Sequence, residues 1–152
     1  MEKIIDLALA LARQAFAAGE TPVAAVIFNT KTKQVLCASA NRVLADCDPT
    51  AHAEVLAVRQ AGKLLNNYNL SGYSIFTTVE PCAMCAAALS WAKIDKVYFG
   101  AYDVKSGAVE NGPHLYQFAS LHHKPEVYGG ISEQECQSLM RAFFKGLRED
   151  GE

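Results

Sequence analysis

The apolar positions of this chain alternate between helical spacing and short β-branched or continuous runs. That alternation leaves a layered α/β domain, a mixed sheet with helices on both faces, as the fold class. Ile4, Ala8, Leu11 and Ala15 follow a helical spacing with Glu2, Asp6, Arg13 and Gln14 between them. Gly19 stops the run, so residues 2–18 read as an amphipathic helix. Thr21–Asn29 and Gln34–Ala40 are apolar or β-branched runs joined by a short Lys/Thr turn, a hairpin pattern. Residues 50–65 read as a second helix, introduced by Asp48 as a cap and Pro49 as its first helical position. Tyr73–Val79 is a strand, and Pro81–Ala92 an Ala-rich helix, apolar nearly all round and therefore buried. Ile94–Gly100 is another strand. A loop region containing Gly107, Gly112 and Pro113 follows, then a short strand at Lys124–Tyr128 and a closing helix over 132–148.

At 152 residues the chain fits one domain, residues 1–152. Its 51% hydrophobic and 20% charged residues exclude a disordered tail, a fibre and a long coiled coil. The net charge of −2 excludes an all-over basic nucleic-acid coat. The longest apolar runs, Val23–Phe28 and Cys82–Leu89, are far short of the ~20 residues that span a bilayer, and the N-terminus lacks a secretory pattern. No membrane partner and a cytoplasmic location are therefore expected. In a reducing compartment, a close cysteine pair reads as metal-binding or redox-active rather than as a disulfide.

Two segments carry chemistry: Thr50-Ala51-His52-Ala53-Glu54, at the start of one expected helix, and Val79-Glu80-Pro81-Cys82-Ala83-Met84-Cys85, where a strand gives way to another. Cys82-x-x-Cys85 alone fits a thiol redox pair or two buried thiols as well as a metal site, and His-x-Glu alone is weak. Together they supply two thiolates and an imidazole, a zinc donor set that leaves a fourth position for water. Helix N-termini favour anions and help hold the thiolates. Glu54, two residues after His52, points about 200° away on a helix, which suits it to proton transfer rather than to metal ligation. Matched to the zinc deaminase signature, this set makes the expected chemistry hydrolytic deamination of an amidine carbon: zinc-bound hydroxide attacks, Glu54 moves protons and ammonia leaves. Cys37 and Cys136 read as small buried hydrophobes, Cys47 as a loop thiol, and Trp91 as core or interface.

His-x-Glu followed by Pro-Cys-x-x-Cys is the zinc deaminase signature, and through it the chain resembles the cytidine and deoxycytidylate deaminase superfamily. Asp48-Pro49-Thr50 and the stretch Phe99-Gly100-Ala101-Tyr102-Asp103-Val104-Lys105-Ser106-Gly107 make it most similar to the bacterial tRNA-specific adenosine deaminases, which convert a wobble adenosine to inosine. The resemblance runs from about residue 3 to 148. It implies a three-layer α/β/α fold with a five-stranded mixed sheet, one Zn²⁺ per subunit held by His52, Cys82 and Cys85, and Glu54 as the catalytic residue. It also implies a homodimer and the tRNA anticodon loop as partner. By motif position Asn41 would bind the target base, Asp103 and Lys105 would line the RNA path, and His123 would lie near the same pocket. Asn41 also fits a turn residue, Asp103 a helix cap and Lys105 a solvated side chain. The acidic tail Arg148-Glu149-Asp150-Gly151-Glu152 and the overall charge favour a rival: a deaminase of a free base, nucleoside or nucleotide of the guanine or cytosine type. A non-catalytic zinc-binding partner subunit is the non-enzymatic alternative.

Overall fold

A computed structural model describes residues 1–150; the last two residues of the acidic tail, Gly151 and Glu152, lie outside them. In chain order the elements are α1 (Glu2–Ala17), β1 (Ala24–Asn29), β2 (Val35–Ala40), α2 (Ala53–Leu65), β3 (Tyr73–Val79), α3 (Ala83–Trp91), β4 (Lys96–Ala101), β5 (Glu126–Tyr128) and α4 (Glu133–Asp150). The strands form one five-stranded sheet ordered β2-β1-β3-β4-β5. β1 pairs antiparallel with both β2 and β3, whereas β3, β4 and β5 run parallel. The sheet is therefore mixed, as expected, and α3 forms the crossover between the parallel strands β3 and β4.

Alternation along β1 divides the core into two layers. Ala25 and Ile27 face α2 and α3, packing with Ala57, Ala61 and Leu89 around Ile75 and Val97. Ala24, Val26 and Phe28 face the other way, against Ile4, Ala8 and Ala12 of α1 and Cys136 of α4. Helices thus cover both faces. The pairing of β1 with β2 carries a register shift between Ile27 and Phe28. Cys37 and Cys136 are buried, and burial pushes each thiol up to about 11, so both behave as packing groups. α3 buries Cys85, Ala86, Leu89 and Ser90, but Ala83 and Trp91 face outward, so its apolar outer side is not covered within this chain.

Two helix starts differ from expectation. α2 begins at Ala53, with His52 as its cap, rather than at residue 50. The Asp48 carboxylate instead accepts hydrogen bonds from the Thr50 backbone N–H (2.8 Å) and hydroxyl (2.7 Å). Ala51, fully buried, accepts from the Arg42 N–H (3.0 Å). The short Asp-Pro-Thr turn thus satisfies itself locally and ties back to the 41–42 segment, leaving His52 at the helix mouth. α3 likewise starts at Ala83, with Cys82 as its cap in an extended conformation.

Gly100 lets α4 approach the sheet. A Cβ there would lie 2.8 Å from the Thr78 carbonyl oxygen and 2.9 Å from Cys136 Cβ. Gly100→Ala is expected to destabilise the fold by about 1–3 kcal/mol through overpacking. Thermal unfolding reads this as a lowered midpoint; an unchanged midpoint would contradict the seating of α4 on β4.

Candidate active site

The C-terminal ends of neighbouring strands open onto one region. β3 leads through Glu80 and Pro81 into Cys82, and the parallel strand β4 leads into Asp103. The start of α2 brings His52 to the start of α3. His52 Nδ1 lies 3.6 Å from Cys82 Sγ and 3.6 Å from Cys85 Sγ, and the three donor atoms all fall within 4.8 Å of one another. With Zn–S of about 2.3 Å and Zn–N of about 2.0–2.1 Å, tetrahedral coordination separates N and S by about 3.6 Å. Both the chemistry of the donor set and its spacing fit zinc.

The electrostatics favour a thiolate here. The hydrogen bond from the Cys85 thiol, helped by the Cys85 backbone N–H and by His52, pulls Cys82 down to about 5 against its burial. Cys85 is pushed the other way, first by that same bond to Cys82 and then by burial. Without a metal this favours a thiolate on Cys82 and a protonated thiol on Cys85. A cation placed among the three donors would take over that proton's role and allow both sulfurs to ionise.

Glu54 sits in the first turn of α2, 4% exposed. Burial, the largest influence, pushes its carboxyl up to about 7. It is outside the metal-competent cluster but shares a cavity of about 610 Å³ with His52 and Cys82. Asn41 and Asp103 line that cavity too, as do Phe143, Phe144 and Leu147 of α4. Asn41 is 8% exposed. Its Nδ2 donates to Glu20 Oε1 at 3.5 Å, and its backbone N–H donates to the Val23 carbonyl at 3.0 Å.

Three sequence expectations need correction or refinement. His123 does not line the cavity: its Nε2–H donates to the Ile94 carbonyl at 2.6 Å, and its own carbonyl accepts from the Ser90 hydroxyl, so it fastens the end of α3 to the approach to β4. Asp103 caps a turn rather than a helix, its Oδ1 accepting from the N–H groups of Lys105 (3.1 Å) and Ser106 (2.9 Å). Lys105 is exposed on that turn, outside the cavity lining. No lysine or arginine lines the cavity among the described residues: Arg42 pairs with Asp46 (3.0 Å), Lys96, at the far end of β4, lies 3.8 Å from Glu126, and Lys124 donates to the Tyr116 and Phe118 carbonyls.

Sequence reasoning missed two buried acids in the cavity wall, Glu20 and Glu80, at 4% and 3% exposure. Glu20 accepts from the backbone N–H groups of Leu44 (3.0 Å) and Ala45 (2.8 Å), holding the loop that carries Asn41. Glu80 does the same for the loop after β4. The available signal was an acid next to a buried strand end, Val79-Glu80-Pro81.

The model of the cytidine and deoxycytidylate deaminase zinc-binding region matches residues 1–101. A tRNA-specific adenosine deaminase of Agrobacterium fabrum is 41% identical over 146 residues, covering 96% of this chain and 95% of that protein. One of Bacillus subtilis is 35% identical, with 91% and 84% covered. A solved structure from a study of A-to-I editing by tRNA:A34 deaminases superposes with a TM-score of 0.88 at 40% identity, covering 91% of this chain and 99% of that one. A guanine deaminase of Nitrosomonas europaea superposes with a TM-score of 0.81 at 24% identity, covering 92% and 82%, a likeness of fold.

Proposed function

The chain belongs to the cytidine and deoxycytidylate deaminase family, and from that premise we propose that it is a hydrolytic deaminase converting the wobble adenosine of tRNA to inosine. The observation that carries the chemistry is one cavity holding a His52–Cys82–Cys85 cluster beside a buried carboxylate, Glu54. The relatives that match nearly its whole length at 35% to 41% identity are named for tRNA adenosine deamination, and this supports the substrate.

His52 Nδ1 and the sulfurs of Cys82 and Cys85 would hold one Zn²⁺ per chain, and the ion supplies Lewis acidity that makes water a nucleophile near neutral pH. Glu54 takes a proton from the attacking water and passes it to the adenine ring nitrogen N1. A second proton from the same water reaches the departing amine through the same carboxylate. The C6–O bond forms, the C6–N bond breaks, and adenosine plus water gives inosine plus ammonia. A carboxyl pushed up to about 7 both accepts and returns protons near neutral pH. Asn41, in the wall of the same cavity, holds the base. Asp103 shapes the turn beside it, and Lys105 on that turn offers its ammonium to a phosphate. The target base must leave its stack, which an unpaired loop makes inexpensive.

We read residues 1–152 as one deaminase domain acting in the cytoplasm. No helix among the described residues is long and apolar enough to cross a membrane. The outer side of α2 and α3, with Trp91 70% exposed and Tyr68, in the loop after α2, 86% exposed, supports a homodimer.

The test is to incubate the protein with tRNA transcripts and, separately, with adenine, guanine, cytosine and their nucleosides. Inosine at the wobble position is expected, with turnover falling about tenfold between 50 and 200 mM salt as phosphate contacts are screened. Release of ammonia from a free base with no inosine in any tRNA would overturn the substrate.

A further inference from the structure

Glu80 is the most heavily hydrogen-bonded side chain in the cavity wall, yet it is not one of the clustered metal donors, and both its carboxylate oxygens are taken up by the protein's own N–H groups. Its Oε1 accepts from the Asp103 N–H at 3.1 Å and from Asn111 Nδ2 at 2.7 Å. Its Oε2 accepts from the N–H groups of Val109 (3.2 Å), Glu110 (2.9 Å) and Asn111 (2.9 Å). Five donors converge on one carboxylate, and no ion pair described in the structure includes it. A buried carboxylate is tolerated without a cation when its lone pairs are filled in this way.

The donors come from both ends of the loop that follows β4. That loop also crosses the Cys82 segment: Ala108 N–H donates to the Pro81 carbonyl at 3.0 Å, and Gly107 bridges Cys82. The crossing is close enough that a Cβ on Gly107 would lie 2.5 Å from Glu80 Cδ. Within this loop, Asp103 and Ser106 line the cavity. Glu80 itself follows β3 and immediately precedes Pro81-Cys82. One side chain therefore joins the segment that carries two metal donors to the loop that faces the substrate.

We propose that Glu80 is a positioning residue: it fixes the 103–111 loop against the metal-donor segment, and so sets the wall that receives the tRNA substrate. The inference rests on the deaminase reading for its kinetic consequence, but not for its structural one. Replacing one oxygen by an amide group, as in Glu80→Gln, turns donors toward donors and frees the loop without removing bulk. A loop freed in this way binds substrate less well while the proton-transfer group and the metal donors stay in place.

The experiment compares wild type, Glu80→Gln and Asn111→Ala, each loaded with zinc. Three quantities are read: backbone amide exchange at residues 103 and 109–111, zinc per chain, and kcat and KM with tRNA. For Glu80→Gln, amide exchange at those residues should quicken about tenfold or more while exchange in α2 stays as in wild type. KM should rise about tenfold with kcat within about threefold and zinc still bound. Asn111→Ala, which removes a single surface-side donor and keeps the fold if Glu80→Gln does not, should shift exchange and KM in the same direction by less. Unchanged amide exchange at 109–111 in both variants overturns the proposal. So does a loss confined to kcat or zinc with KM unmoved, since that would make Glu80 a support of the metal segment alone. If wild type makes no inosine, the substrate reading fails on that result, and the exchange data still decide the role of Glu80.

Discussion

Glu54→Gln is expected to lower inosine formation by about 10³-fold while zinc per chain stays as in wild type. Glutamine keeps the shape and burial of the side chain but can neither accept the proton of the attacking water nor return it. Glu54 lies outside the metal-competent cluster, so its loss leaves the three donors intact. Product analysis alongside metal analysis separates the two effects, and a variant that retains more than about a tenth of the wild-type rate would remove Glu54 from the reaction. Stability offers a second readout in the metal-free protein. Burial raises the folded-state value of Glu54 from 4.5 to about 7. Below 4.5 the carboxyl is protonated in both folded and unfolded chains and costs nothing. Between 4.5 and 7 the unfolded chain ionises first, so wild type loses stability as pH rises. Glu54→Gln lacks that penalty. Its unfolding midpoint relative to wild type should therefore be more favourable at pH 8 than at pH 5.

Removing one donor of the cluster should have an effect as large by a different route. Cys85→Ala leaves only His52 and Cys82, two ligands that cannot close a tetrahedral site. Zinc per chain should fall from about one to near zero after dialysis, and inosine formation to background. The unfolding midpoint should also drop to that of metal-free wild type, because a bound ion stabilises the folded state by mass action. Chelation of wild type should reproduce the loss, and added zinc should reverse it. The thiols report the same event. With Cys82 held near 5, the metal-free protein presents a thiolate at neutral pH, which should label rapidly with a thiol reagent. Zinc should protect it, while exposed Cys47 labels either way. Full activity in Cys85→Ala would refute the metal assignment.

The chemistry was legible in the sequence because its signals are local. His52 and Glu54 lie two residues apart, Cys82 and Cys85 one helical turn apart, and each pair sits at the mouth of a helix whose apolar spacing can be read directly. The alternation of runs likewise gave the strand and helix order and the two covered faces. What the sequence hid depends on distance along the chain. Glu80 meets partners 23 to 31 residues away, and nothing in its neighbourhood marks it except its place next to a buried strand end. His123 was assigned to the pocket, but its ring serves the Ile94 carbonyl, 29 residues away. The apolar wall contributed by Phe143, Phe144 and Leu147 depends on how α4 lies across the sheet, and periodicity alone does not give that angle. Asp48-Pro49 looked like a helix start, and the competing Asx turn at Thr50 displaced the start by three residues.

The register shift in the outer strand pair bears on how the protein behaves when concentrated. An open sheet has two free edges, and each is a template on which another chain could add a strand. Here the pairing of β2 with β1 slips by one residue at Leu36, between the Cys37–Ile27 and Val35–Phe28 pairs, and Lys31 and Lys33 stand in the turn beside it. The opposite edge, β5, is three residues long and carries exposed Glu126. A bulge with lysines guards one side, and brevity with a charge guards the other. Growth of sheet onto sheet is thereby discouraged at both ends, so crowded molecules are steered away from fibrous aggregation and toward contact through their helices.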